Sequence, residues 1–346
     1  MLRVYTKYGG VVMGDEGKEK GKAEAKEEAP EETPTTHFVE FVAETNYAGW
    51  RLDCYLRQKF KRLSRTRIQA LIRKQLPGHL KASTRVKPGM RFRFWRRLLE
   101  EPSVPGPEAL GCVFEDEDLL VLNKPAGLPV HPSARYFHNT LVSQLAKRYA
   151  LSPLRPSPAH RLDRETSGLL VCTKTLLASR EMMRAFASSR VHKEYLAIAE
   201  GHPPWESLHI EAPIAEGSAS IRIAVRIAPE GNPAATQVKV LRRFERQGAP
   251  FCLLQCKPLT GRQHQIRVHL KHVGFPLVGD KIYGPDEGFF DRFSRHCLEP
   301  VAMQRLLLSH HALHASLLCF PHPRSQKPMR FESALPETLR GFLEGN

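Results

Sequence analysis

His160-Arg161-Leu162-Asp163-Arg164-Glu165-Thr166-Ser167-Gly168-Leu169-Leu170 sets one carboxylate among two arginines, a glutamate and two hydroxyls. Neighbours of that kind hold an aspartate in place and keep it ionised. Gly168 ends the polar turn and opens an apolar run that reads as a buried strand. From composition alone, an aspartate in a loop ion pair and an aspartate used in catalysis explain the string equally well.

Outward from this segment, short apolar runs alternate with turn residues: VFEDEDLLVLNKP from Val113, GLLVCTK from Gly168, YLAIAEG from Tyr195, TQVKVLRRF from Thr236, FCLLQCKPL from Phe251 and LLLSHHALHASLLCF from Leu306. Helical spacing is rarer and shorter, over Thr140 to Tyr149, Leu176 to Ser188 and Gln263 to His272. Dominant strands with irregularly interspersed helices predict an α+β fold with a mixed, largely antiparallel central sheet. No internal repeat is present.

Charge divides the rest. The 346 residues carry a formal net charge of +16. Gly14 to Thr35 holds eight acids against four lysines and few apolar side chains, so residues 1–37 are expected to be a disordered charged tail. Met1 and Met13 are both plausible starts. Arg51 to Arg97 holds sixteen Lys or Arg against one acid, Asp53, a net of +15. Such a cluster repels itself and favours a polyanion that releases counterions on binding. Nucleic acid is preferred to acidic lipid, because no apolar insertion face accompanies the charge.

Residues 38–98 read as a small basic domain. Ser64 caps a helix in which Ile68, Leu71 and Ile72 share one face, while Arg65, Arg67, Arg73 and Lys74 take other positions and are candidate RNA contacts. Leu52, Tyr55 and Leu56 suggest a partner helix. LKASTRVKPGMRFRFW, from Leu80, reads as a hairpin turning at Pro88-Gly89. Residues 99–109, rich in Pro and Glu, read as a linker to a catalytic domain over 110–346.

Several classes are set aside. No run approaches the roughly 20 apolar residues of a membrane span, and the start lacks a secretory h-region, so a cytoplasmic location is expected. Seven cysteines without a CxxC pair predict neither a disulfide framework nor a metal site; Cys252 and Cys256 near His264 read as buried strand thiols. No phosphate loop or dinucleotide fingerprint is present, so no cofactor is predicted.

HRLDRETSGLLV resembles the defining motif of RluA-type pseudouridine synthases, and three further segments resemble that family's motifs in order: Glu117 to Leu128 (EDLLVLNKPAGL), Val191 to Ala197 (VHKEYLA), and Leu259 to Leu270 (LTGRQHQIRVHL) with Gly279-Asp280 and Tyr283-Gly284 beyond. The likeness spans about Cys112 to Pro336. It implies the pseudouridine synthase fold, with Asp163 as the obligatory aspartate, Tyr195 as the tyrosine against the target base, and Arg267 as the aspartate's partner. Arg161, Arg262 and Lys124 are then RNA contacts, whereas His131, His264 and His269 receive no role. The basic domain is similar to the S-four-type RNA-binding domain named after a ribosomal small-subunit protein, although its asparagine-glycine segment is replaced by Leu80-Lys81-Ala82-Ser83.

The implied activity is an isomerase acting without cofactor or metal on structured RNA, neither DNA nor membrane, as a monomer. Asp163 attacks the ribose anomeric carbon, removes its 2′ proton, or adds to carbon-6 of uracil, on a uridine flipped from its stack. The stretch from Pro129 to Thr140 looks like tRNA-modifying members, and the basic domain like large-subunit rRNA enzymes, so tRNA and rRNA both stand. The alternatives are a non-catalytic RNA-binding or ribosome-assembly factor, and a glycosidase with Glu165 as second acid.

Overall fold

Two units divide the chain, residues 1–101 and residues 102–346, and each follows its own periodicity. The structure, a computed structural model, describes residues 3–4, 36–60, 63–97, 101–133, 136–217, 224–284, 289 and 304–345. Most of the expected acidic tail therefore lies outside the described residues.

The smaller unit is built on period-two alternation. Strands β1 (Arg3–Val4), β2 (Thr36–Val42) and β3 (Arg91–Arg97) pair antiparallel in that order. Phe92 and Phe94 turn inward from β3, and Arg91 and Arg93 turn outward. Helices α1 (Leu52–Lys59) and α2 (Arg65–Gln75) cover the sheet with Leu52, Tyr55, Leu56, Ile68 and Ile72. The Ser64 hydroxyl caps α2 by accepting the Arg67 N–H.

The hairpin expected from Leu80 is not formed. The partner of β3 is β2, which begins at Thr36, inside the segment expected to be tail. Residues 84–86 bond instead to the stretch entering α1: Leu52 N–H donates to Thr84 O, and Val86 N–H to Trp50 O. β2 and the residue after it set Val39, Phe41 and Ala43 beside Phe92 and Phe94 of β3 in one continuous alternating face, whereas Leu80, Ala82 and Val86 reach the same core from a stretch broken by turns.

The larger unit carries a ten-stranded mixed sheet. Its strands are β4 (Gly111–Glu115), β5 (Leu119–Lys124), β6 (Ser157–Pro158), β7 (Ser167–Thr173), β8 (His192–Glu200), β9 (Ser207–Glu211), β12 (Ala235–Arg246), β13 (Ala249–Pro258), β14 (Leu313–Pro321) and β15 (Pro328–Glu332); β10 (Ile214–Glu216) and β11 (Val225–Ile227) form a separate pair. The main path runs β4-β5-β7-β14-β8-β13-β12-β9. Only the β7–β14 pairing is parallel among the described strands, in agreement with the expected α+β class. β7 is buried on both faces, which explains its unbroken apolar run after Gly168.

Helices α3 (Leu141–Arg148), α4 (Leu176–Ala187), α5 (Gln265–His272) and α6 (Glu337–Glu344) also belong to the unit. The Thr140 and Thr175 hydroxyls cap α3 and α4. The expected linker is partly structural: Asn139 donates to Pro102 O, Gln144 donates to Pro105 O, and Leu110 enters the core. Residues 102–109 thus belong to the larger unit.

Candidate active site

The loop bearing Asp163 is pinned on both sides. Thr166 N–H donates to Asp163 O and closes the turn, and Gly127 N–H donates to Arg164 O. Gly168, at φ +108°, brings β7 against β14 so closely that a Cβ there would sit 2.3 Å from Ala315 O. Only glycine meets both demands.

Lys124 completes this support, and the RNA contact expected of it is corrected. Its side chain is fully buried, and its ammonium donates to the carbonyls of Pro125, Leu128 and Arg164 at 2.9, 2.9 and 3.1 Å. Three carbonyls without a carboxylate in contact are a weak substitute for water, so burial pushes its pKa down to about 7.

A cleft of about 1050 Å³ opens beside the loop, lined by Arg161, Asp163, Tyr195, Arg262, His264 and Arg267 among others. Arg267 projects from α5 and is 4% exposed. Its Nη1 donates to Asp163 Oδ2 at 2.8 Å, while Nε and Nη2 donate to the two oxygens of Asp280 at 2.7 and 2.8 Å. The N–H groups of Ile282 and Tyr283 also donate to Asp280. A guanidinium fork clasped this way has one orientation, which aims the third N–H at Asp163. Asp280 entered the sequence reading only as part of a motif; its role appears once the backbone brings residue 280 to residue 267.

Burial works against ionisation of Asp163. The positive charge that His264 can carry and the permanent charge of Arg267 more than offset it and hold the pKa at about 2. Burial pushes the His264 imidazole itself down to about 4, so Arg267 is the cation that keeps Asp163 ionised at neutral pH. Tyr195, on β8, is 9% exposed, and its hydroxyl has no hydrogen-bond partner among the described residues. Burial and the charge of Asp163 push its phenol far above the usual tyrosine range, so it faces the cleft protonated.

The turn before α5 is stitched by Gln265, whose side chain accepts from Thr260 Oγ1 and Arg262 N–H and donates to Ala235 O and Thr236 Oγ1. Arg262 is exposed at the cleft and donates to Pro233 O. His269, given no role above, is a buried histidine bonded to Thr236 Oγ1 and Ala212 O. His264 is hydrogen-bonded as well, through Nδ1 to Tyr283 Oη at 2.9 Å, and its Nε2 lies 3.8 Å from Asp163 Oδ1. Glu165 is bonded to Arg164 and Lys281, and after burial opposes it their charges and that of His311 hold its pKa at about 2. A glycosidase acid needs the reverse shift, so that alternative is not supported. Arg65, Arg67, Arg73 and Lys74 lie on or beside the exposed surface of α2 in the smaller unit, with Arg65 tied to Asp53 at 3.0 Å.

The family described as "RNA pseudouridylate synthase" matches residues 118–272. A "Ribosomal large subunit pseudouridine synthase D" of Zymomonas mobilis is 34% identical over 306 residues, covering 84% of this chain and 92% of that protein. A protein of the same title from Nitrosomonas europaea is 34% identical, with 88% and 87% covered. Among solved structures, "Human RNA Pseudouridylate Synthase Domain Containing 1" superposes with a TM-score of 0.53 at 27% identity, over 70% of this chain and 96% of that one. The chain belongs to the RluA-type family of RNA pseudouridine synthases, which are isomerases.

Proposed function

We propose that this enzyme converts uridine to pseudouridine in structured RNA, large-subunit ribosomal RNA in first place, with the Asp163 carboxylate acting on a flipped-out uridine. The observation that carries the reading is the pairing of Asp163 with Arg267 at 2.8 Å beside a cleft large enough for a nucleotide and its neighbours. The titles of the Zymomonas and Nitrosomonas relatives favour ribosomal over transfer RNA.

The reaction breaks the bond from ribose C1′ to uracil N1, turns the base, and joins C1′ to C5; the C5 proton is lost and N1 gains one. Asp163 is suited to nucleophilic attack on C1′, to removal of the 2′ proton and to addition at C6, since each needs an ionised carboxylate. Tyr195, kept protonated, is suited to packing against the base rather than to acting as a base. Arg161 and Arg262 are placed to meet phosphates, which position the strand without reading its sequence.

The smaller unit, with its S-four-like order of two helices and a sheet, supplies a sequence-independent grip through Arg67, Arg73 and Lys74, all exposed on α2. Arg65 contributes less, because it neutralises Asp53. The test is tritium release from RNA labelled at C5 of uridine. Wild-type protein is expected to release it and Asp163→Asn to release none above background. Release that persists in the variant overturns the aspartate mechanism, and none from wild type on any ribosomal or transfer RNA overturns the activity.

A further inference from the structure

His264 stands in a conformation that needs explaining. Its backbone adopts φ +52°, ψ +19°, the left-handed region, immediately before α5. Histidine enters that region more readily than most residues, yet a non-glycine residue there costs on the order of 1 kcal/mol or more and persists only where surroundings impose it. The result aims the imidazole into the cleft between two groups, Tyr283 on one side and Asp163 on the other.

The hydrogen bonds around Tyr283 set the tautomer of this ring. Val225 N–H donates to Tyr283 Oη at 2.9 Å, and His264 Nδ1 lies 2.9 Å from the same oxygen. If Nδ1 carried the proton, the tyrosine hydroxyl proton would have no acceptor among the described residues. When the hydroxyl donates to Nδ1 instead, the tyrosine hydroxyl and Nδ1 are both satisfied, and the remaining imidazole N–H is turned toward the cleft on the side of the Asp163 carboxylate. The neutral imidazole then carries its proton on Nε2. At 3.8 Å from Asp163 Oδ1, that N–H is too far for a hydrogen bond to the carboxylate, and it has no other partner among the described residues.

We propose that His264 is a further catalytic residue, whose Nε2–H donates a hydrogen bond to a carbonyl oxygen of the flipped uracil, with Tyr283 as the positioning residue that holds the required tautomer. The inference rests on the pseudouridine synthase reading and holds for each route open to Asp163. Displacement at C1′ and glycal formation both send the glycosidic electron pair to uracil N1 and its carbonyls, and addition at C6 builds an enolate on a carbonyl. In the first two routes O2, one carbon from N1, is the oxygen nearest the scissile bond and so nearest a donor beside Asp163. The proton is shared and not transferred: the electron pair returns to a carbon bond when C5 joins C1′, and the C5 proton leaves as before. Burial, which holds the imidazole neutral, suits a donor that gives its proton to no one.

The test compares full-length wild type, His264→Gln, His264→Asn and Tyr283→Phe in single-turnover tritium release, with RNA affinity measured alongside. Glutamine places an amide donor close to the position of Nε2, whereas asparagine places its amide at the Nδ1 position, toward Tyr283. Asparagine is expected to slow release by about 10²–10³-fold at unchanged affinity, the effect of removing one donor from a developing oxyanion. Glutamine is expected to stay within about tenfold of wild type, as is Tyr283→Phe, which frees the tautomer without deleting the donor. In ¹⁵N-histidine spectra of wild type, the His264 proton is expected on Nε2. A proton found on Nδ1, a wild-type rate in His264→Asn, or equal losses for asparagine and glutamine would each overturn the proposal. Absence of release by wild type would instead overturn the parent reading, and the spectrum would still decide the tautomer.

Discussion

In the smaller unit Asp53 is fully buried, with Oδ1 held by Arg51 at 3.1 Å and Oδ2 by Arg65 and Gln69, each at 3.0 Å. In the larger unit Asp163 keeps a side chain 19% exposed; Arg267 holds Oδ2 at 2.8 Å, and nothing among the described residues holds Oδ1. For both, burial opposes ionisation and is overcome at neutral pH: by hydrogen bonds from Arg51, Gln69 and Arg65 for Asp53, and by the permanent charge of Arg267 for Asp163. Charge state therefore does not separate them. What separates them is saturation. A carboxylate with both oxygens engaged is a structural tie, and one with an oxygen left facing a cleft is available to a substrate. Asp280, with both oxygens engaged by Arg267 and the Ile282 and Tyr283 N–H groups on Oδ1, belongs with Asp53 although it lies beside Asp163.

The sharpest way to break this comparison is to make one substitution at both places. Asp163→Asn is expected to lower kcat for pseudouridine formation by about 10³-fold or more, the scale of losing a principal catalytic group, with thermal unfolding little changed. Asp53→Asn is expected to do the opposite: kcat is retained while the smaller unit loses about 1–3 kcal/mol, because a buried amide cannot accept all the hydrogen bonds that Arg51, Arg65 and Gln69 give the carboxylate. Chemical denaturation and single-turnover rates on both variants decide the matter, and a large kcat loss in Asp53→Asn would erase the distinction.

Arg267→Gln tests the electrostatic half. The native Asp163 pKa of about 2 lies below the unfolded value near 3.9, so its ionised form, and the stability it adds, is complete above the unfolded value and is lost only as pH falls toward 2. Wild-type kcat/KM is accordingly expected to show no acid limb from this group above about pH 4. Without the guanidinium, burial dominates. The limb should then rise by about 1–3 units, and kcat at neutral pH should fall by about 10²-fold. A pH–rate profile identical to wild type would refute the role given to Arg267.

Lys124→Met probes the support beneath the loop. The native lysine pKa of about 7 lies below its unfolded value near 10.4, so the unfolded chain binds the extra proton between those values and native stability rises with pH across that window. The methionine variant is expected to lose this rise, measured as the difference in unfolding free energy between pH 7 and 10. A slope unchanged by the substitution would show that the ammonium is better solvated than three carbonyls allow.

The mildest expected effect on chemistry comes from the smaller unit's surface. Reversing Arg67, Arg73 and Lys74 to Glu should leave the single-turnover rate at saturating enzyme unchanged. Each phosphate that no longer meets a cation is expected to lower the slope of log affinity against log salt by about 0.7–0.9, so three of them lower it by about 2–3. An unaltered slope would place the RNA grip elsewhere.

Much of this molecule is legible in the order of its residues. Ser64, Thr140 and Leu176 mark helix starts because capping and 3.6-residue spacing are local properties, and β7 shows itself as an apolar run because a strand buried on both faces needs no alternation. The motif around Asp163 names the aspartate, and its likeness to a family names Tyr195 and Arg267. The strand partner of β3 is not legible, since a Pro-Gly turn is visible locally whereas the claim of β2, about fifty residues earlier, depends on which face meets the core. Lys124 looks like any surface cation of a turn, and only the folded loop wraps three carbonyls around it.

The order of residues alone thus determined the α+β class, the capped helices, the basic character of residues 51–97 and the motif that singles out Asp163, because each follows from neighbours within a few positions or from a recognisable string. Tertiary structure alone decided which polar groups are saturated. Asp163 meets Arg267 across 104 positions, His264 meets Tyr283 across 19, and Val225 meets Tyr283 across 58. Lone pairs and N–H groups are counted in space, and no local pattern records whether the last one has been used.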